Sequence, residues 1–141
     1  MSEPQRTLVL IKPDGVRRGL SGQVLARIEA KGYRMVAARL RTADAALLTE
    51  HYAEHAGKPF VAPLIAFMSS GPVLALVVEG HRVIEGIRSL CGATDPTTAA
   101  PGSIRGDLAA DTGAPVLENI IHASDSPESS AREIALWFSS L

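Results

Sequence analysis

Asn119-Ile120-Ile121-His122-Ala123-Ser124-Asp125-Ser126-Pro127-Glu128 reads, without interruption, as a strand, a turn and the opening of a helix. The paired isoleucines are β-branched and favour a pleated run. Ser126 is a preferred N-cap, and Pro127 suits the first helical position because its missing N–H would have had no intrahelical partner. The segment therefore predicts a strand at Ile120-Ile121 and a closing helix from Pro127 to Phe138. His122 falls at the strand end, facing a helix N-terminus where backbone donors and the macrodipole favour anions. An imidazole in that position suggests phosphate chemistry; a structural histidine satisfied by the Ser/Asp turn is the competing reading.

Outward from this segment, strands and helices are interleaved. Thr7 to Ile11 and Val73 to Val78 are continuous apolar runs of the kind buried on both faces of a sheet. Tyr33 to Leu40 alternates and reads as a third strand. Helical spacing appears over Gly22 to Gly32, Asp44 to His55, Phe60 to Met68 and Val83 to Leu90, with Gly32 placed as a C-cap glycine. Pro13-Asp14-Gly15 reads as a turn, and Gly92 to Gly106 as a long loop of the sort that carries function. No repeat or linker divides residues 1–141, so one domain is expected, an α+β sandwich with helices packed on a sheet.

Composition narrows the function classes. Apolar residues reach 46% while charges nearly cancel at −1, which excludes a disordered chain and lacks the basic excess of a general nucleic-acid binder. Cys91 is alone, so neither a disulfide framework nor a thiolate zinc cluster is available, and a cytoplasmic setting is expected. The N-terminal Met1 to Arg6 lacks the apolar core of a signal peptide, and Val73 to Val78 is too short to span a bilayer.

Glycine-rich phosphate cradles are missing. No Gly-x-Gly occurs, and Gly57-Lys58 runs into Pro59 without the earlier glycine of a P-loop. Side chains must then hold any phosphate, and the candidates are Lys12, Arg88, Thr94 and Arg105. Arginine offers a planar fork matching phosphate oxygens and lysine a compact charge, although each alone reads equally as a surface residue. Ser124 and Glu133 belong with His122: a carboxylate bonded to the imidazole, directly or through a hydroxyl, would fix its tautomer and free the other nitrogen as a nucleophile. Glu133 alternatively pairs with Arg132 or solvent. His51 and His55 stand at i, i+4 and could clamp a metal, but Tyr52 occupies the position where a zinc protease needs its glutamate and no third ligand is evident. No protein-caged metal is expected.

Thr7-Leu8-Val9-Leu10-Ile11-Lys12-Pro13-Asp14-Gly15-Val16, Gly92-Ala93-Thr94, Pro101-Gly102-Ser103-Ile104-Arg105-Gly106-Asp107 and Asn119-x-x-His122-x-Ser124-Asp125-Ser126 together resemble the signature segments of nucleoside diphosphate kinases, in order and over nearly the whole chain. The resemblance implies a ferredoxin-like α/β sandwich with a four-stranded antiparallel sheet covered by helices. It implies ping-pong transfer of the terminal phosphoryl of a nucleoside triphosphate, mainly ATP, to a nucleoside diphosphate through Nδ1 of His122. By motif position Lys12, Arg88, Thr94 and Arg105 would bind phosphates, and Asn119 the sugar with Lys12. Phe60 would stack on the base, Leu64 would add apolar contact, and Tyr52 would steady the site close to His122. Mg²⁺ is implied as a bridge between nucleotide phosphates rather than a caged ion. Poor base selectivity, a homo-oligomer (tetramer or hexamer) and no membrane or specific nucleic-acid partner complete the expectation. The short tail after Trp137-Phe138 points to a bacterial type.

Two departures bear on activity. Leu108 to Glu118 is a few residues longer than usual, so no base contact is assigned there. Ala123 replaces the glycine that usually follows the histidine; were φ > 0 required, alanine would cost on the order of 1 kcal/mol. Asp95 and Ser103 stand where Asn and Thr are common. A nucleotide binder without turnover and a protein-directed phosphohistidine donor are the rival functions.

Overall fold

The structure is a computed structural model that describes residues 3–141; Met1 and Ser2, at the start of the N-terminal segment read above, lie outside the described residues. Four strands, β1 (Gln5–Ile11), β2 (Arg34–Arg41), β3 (Val73–Gly80) and β4 (Ile121–Ala123), form one sheet in the order β2-β3-β1-β4. Every neighbouring pair is antiparallel. The helices are α1 (Pro13–Arg17), α2 (Ser21–Lys31), α3 (Ala45–His51), α4 (Val61–Met68), α5 (Val83–Cys91), α6 (Ile104–Leu108) and α7 (Pro127–Trp137). This is the expected ferredoxin-like sandwich.

The apolar runs of β1 and β3 are explained by burial on both faces. Successive side chains of a strand point to opposite sides. Val9 and Ile11 join Val24, Ile28 and Ile87 on one side, whereas Leu8 and Leu10 join Leu48, Met68 and Trp137 on the other. In β3, Leu76 and Val78 serve the first cluster and Val73 and Ala75 the second. Either face left polar would open one of the two cores.

Several local expectations are corrected. Pro13-Asp14-Gly15 is not a free turn: Pro13, pre-set in φ, opens α1. The alternation read in β2 is interrupted by a register shift between Met35 and Ala37. The Asp44–His55 helix stops early. Asp44 caps α3 through a 2.8 Å bond from the Leu47 N–H, but the helix ends at Tyr52 and a separate 3₁₀ turn spans Ala53–His55. His51 and His55 thus do not share one helix face. The long loop ends in α6, capped by the Ser103 hydroxyl accepting from Gly106 N–H at 3.0 Å. Gly32 closes α2 at φ 102° and Ser126 caps α7, both as read from the sequence.

Candidate active site

His122 reaches its place because the preceding backbone is forced. Ile120, a β-branched residue, sits at φ 73°, in the left-handed region it ordinarily avoids at a cost of about 1–2 kcal/mol. Two clamps hold it there. Its N–H donates to Asp14 Oδ2 at 3.0 Å, and its carbonyl accepts from Lys12 N–H at 2.7 Å. Gly15 is part of the same device, since a Cβ there would come within 2.9 Å of Ile11 and 3.0 Å of the Ile120 side chain. The Lys12-Pro13-Asp14-Gly15 motif therefore shapes the backbone that delivers the histidine, besides supplying the lysine. Ala123 needs no left-handed backbone: it lies in β4 opposite Val9, so the feared strain is absent.

The imidazole is oriented from behind. Its Nε2 lies 2.8 Å from Glu133 Oε1, and the same oxygen accepts from Ser124 Oγ at 2.8 Å. Glu133 sits in the second turn of α7, so it is this carboxylate that the helix brings to the ring. Glu133 and Ser124 are buried, while the His122 side chain is 23% exposed. Burial pushes the Glu133 carboxyl up, but its hydrogen bond to His122, the neighbouring imidazoles and Ser124 outweigh this and hold it below its ordinary value. An ionised carboxylate at Nε2 keeps the ring proton there and leaves Nδ1 with its lone pair.

In front of the ring lies a polar cavity of about 240 Å³ lined by His122, Lys12, Tyr52, Arg88, Arg105 and Thr94, among others. Asn119 forms its hub: Oδ1 accepts from Lys12 Nζ at 2.8 Å, and Nδ2 donates to the Thr94 carbonyl at 2.9 Å. Arg105 braces three segments, donating to the carbonyls of Asn119, Gly92 and Ile121. Arg88 donates to the Ala123 carbonyl at 3.1 Å. Burial and the Arg105 charge lower Lys12 to about 8, with Asp14 and Cys91 opposing. Arg105 is likewise held below its usual value by burial, with Arg88 adding to the effect. Such a cluster of poorly compensated cations is suited to an anionic guest. Burial raises the Tyr52 phenol well above its ordinary value, so it stays protonated as a donor.

Lys12, Thr94 and Asn119 are shared with a second, apolar cleft of about 340 Å³ that also carries Phe60 and Leu64. All the residues singled out from sequence are thus brought together, with Ser124 behind Glu133. Sequence reasoning missed Pro115, Val116 and Leu117, which line the apolar cleft from within the longer segment where no contact was assigned. The run of apolar residues after Ala114 was the available signal. It also gave His51 no role: its ring lines the polar cavity and lies 4.8 Å from that of His122.

A histidine pinned by a carboxylate at the floor of a cation-lined cavity, on a ferredoxin-like sheet, defines a phosphotransferase. A family model described as nucleoside diphosphate kinase matches residues 5–141, and the chain belongs to that family. The chain is 62% identical to a nucleoside diphosphate kinase of Streptomyces avermitilis over 135 residues, covering 95% of this chain and 96% of that one. It is 56% identical to one of Mycobacterium bovis over 135 residues, with the same shares covered. Among solved structures it resembles a Halobacterium salinarum nucleoside diphosphate kinase in complex with CDP (TM-score 0.91, 47% identity, 98% of this chain and 90% of that one). A Borrelia burgdorferi enzyme with bound vanadate and ADP, a transition-state mimic, matches with TM-score 0.88 and 42% identity over 96% of this chain and 87% of that one. The activity is that of a nucleoside-diphosphate kinase, a transferase acting on nucleotides. Among the described residues no helix is long and apolar enough to cross a membrane.

Proposed function

We propose that turnover is a ping-pong exchange on Nδ1 of His122. Nδ1 attacks the terminal phosphorus of a nucleoside triphosphate, mainly ATP. The bond to the β,γ-bridging oxygen breaks and the diphosphate departs with its electron pair. A terminal oxygen of a second diphosphate then attacks the phosphorus, and the P–N electrons return to the ring. The observation that carries this is the 2.8 Å contact between Nε2 and Glu133, which commits that nitrogen and leaves Nδ1 the one free to act as nucleophile.

Lys12, Arg88, Arg105 and Thr94 hold the phosphates, where charge spreads over equatorial oxygens and fixed donors count most. Asn119 and Lys12 take the sugar, Phe60 and Leu64 the base, and Tyr52 with Ser124 steadies the ring and its carboxylate. An apolar cleft recognises any base by its π-face, so discrimination among bases is weak. The donor set fits Mg²⁺ carried on the phosphates: Glu133 is occupied by His122 and Ser124, which leaves Glu54 and Asp125 as the carboxylates lining the cavity. When bound, the ion neutralises phosphate charge.

The whole chain acts as one catalytic unit in the cytoplasm, a reducing setting suited to the buried Cys91 thiol. A homo-oligomer (tetramer or hexamer) is supported by β2, an edge strand on which Leu40 is 61% exposed. Ala123 in regular strand geometry favours turnover over a nucleotide binder without it. Incubation with γ-labelled ATP should give an acid-labile, base-stable phosphoenzyme that added GDP, CDP or UDP discharges to the triphosphate. A protein that takes no label, or passes it only to other proteins, would contradict the reading.

A further inference from the structure

Outside the groups given a role above, one buried titratable side chain stands against the nucleophile. His51 ends α3 and is 3% exposed. Its Nδ1 accepts a 3.0 Å hydrogen bond from the indole N–H of Trp137, itself 1% exposed at the end of α7. A ring nitrogen that accepts cannot carry the proton, so the neutral ring bears it on Nε2. His51 also packs edge-on against two rings, Tyr52 at 4.7 Å and 87° and His122 at 4.8 Å and 73°.

These contacts complete a constraint that Glu133 leaves open. A single hydrogen bond at Nε2 fixes one point of the His122 ring but allows the ring to swing about that bond. A wall against its face or edge removes the swing. We propose that His51 is a positioning residue that, locked by Trp137, holds the His122 imidazole in its attacking orientation. The inference rests on the reading of His122 as the phosphoryl acceptor.

The charge state supports the geometry. Burial first, then electrostatic interaction with the adjacent His122 ring, lowers His51 to about 3; Glu133 opposes this, while Arg132 and Lys12 add to it. Tyr52, one of the titratable rings against His51, is held protonated by burial. A neutral His51 does not compete for the Glu133 carboxylate and puts no cation beside the attacking nitrogen.

The test combines two substitutions with spectroscopy on the unaltered protein. His51→Ala removes the wall; it should slow single-turnover phosphorylation by ATP roughly tenfold, with KM changed less than twofold. The ¹⁵N signals of the His122 ring should stay at their Nε2–H positions, which Glu133 fixes, but broaden as the ring swings. His51→Phe restores a ring of similar breadth but orphans the Trp137 N–H. It should recover most of the rate while melting at a lower temperature than the unaltered protein. A rate that follows melting temperature across both variants would overturn the inference, as would His122 ring signals that stay sharp in His51→Ala. So would a His51 that titrates near 6.5 in the unaltered protein, a measurement that needs no variant. Label absent from His122 in the unaltered protein would instead overturn the reading on which the inference stands.

Discussion

The two halves of the cleft are built on opposite principles. At the proposed phosphate end nearly every polar group is bound to another before any guest arrives: Lys12 to Asn119, Asn119 to the Thr94 carbonyl, Arg105 to three carbonyls, His122 to Glu133. At the proposed base end the walls are apolar and open, with Phe60 49% exposed. Preorganised donors lower a barrier without reorganising during the reaction, whereas a loose apolar slot contributes only area. On the proposed assignment, the difference teaches that order is spent on the phosphoryl group and the base is left nearly unread.

The contrast is most sharply broken at the nucleophile. His122→Ala should abolish the phosphoenzyme and reduce turnover by on the order of 10⁵-fold or more, as loss of an attacking atom does elsewhere. Trapping with γ-labelled ATP measures it, and residual label on the variant would place the acceptor elsewhere. Next comes Arg105→Ala, expected to cost roughly 10²–10³-fold in kcat. It should also cost about 2 kcal/mol or more in stability, because three carbonyls lose their partner. Chemical denaturation alongside kinetics checks this. A stability loss without a rate loss would reduce Arg105 to a brace.

A pH profile sharpens the comparison further. With Lys12 lowered to about 8, the free enzyme keeps the charge below that pH and loses it above. The value of kcat/KM should therefore fall about tenfold per unit on the alkaline side of pH 8, and Lys12→Arg should remove that limb. The linked stability has the opposite sign. A folded value below the ordinary 10.5 penalises the folded state fully below pH 8 and progressively less up to 10.5, so this group makes the protein more stable as pH rises through that window. Phe60→Ala should have the smallest effect, raising KM for all diphosphates roughly fivefold at nearly constant kcat, as loss of one exposed stacking contact would. Selective loss for one base would show that the slot reads bases after all.

Much of this was legible in residues alone, and the boundary has physical causes. The central strands were readable because burial on both faces demands unbroken apolar runs, as in Leu8 to Ile11. The cap at Ser126 and the C-cap at Gly32 were readable because local backbone chemistry decides them. Asp14 and Gly15 were not, because their task is to hold Ile120, more than a hundred residues away, in a conformation no local rule assigns to isoleucine. His51 was left without a role for a related reason. Its partner Trp137 is distant in sequence, and the i, i+4 spacing to His55 applies only if the helix continues past Tyr52. Pro115 to Leu117 escaped because the length of a loop says nothing about which way it folds back.

The phosphorus–nitrogen connectivity of the phosphoenzyme is the most direct measurement. On ¹⁵N-labelled protein phosphorylated by ATP, ³¹P–¹⁵N coupling should place the phosphoryl group on Nδ1 of His122, with Nε2 still carrying the proton shared with Glu133. Phosphorus on Nε2, or on any other residue, would contradict it.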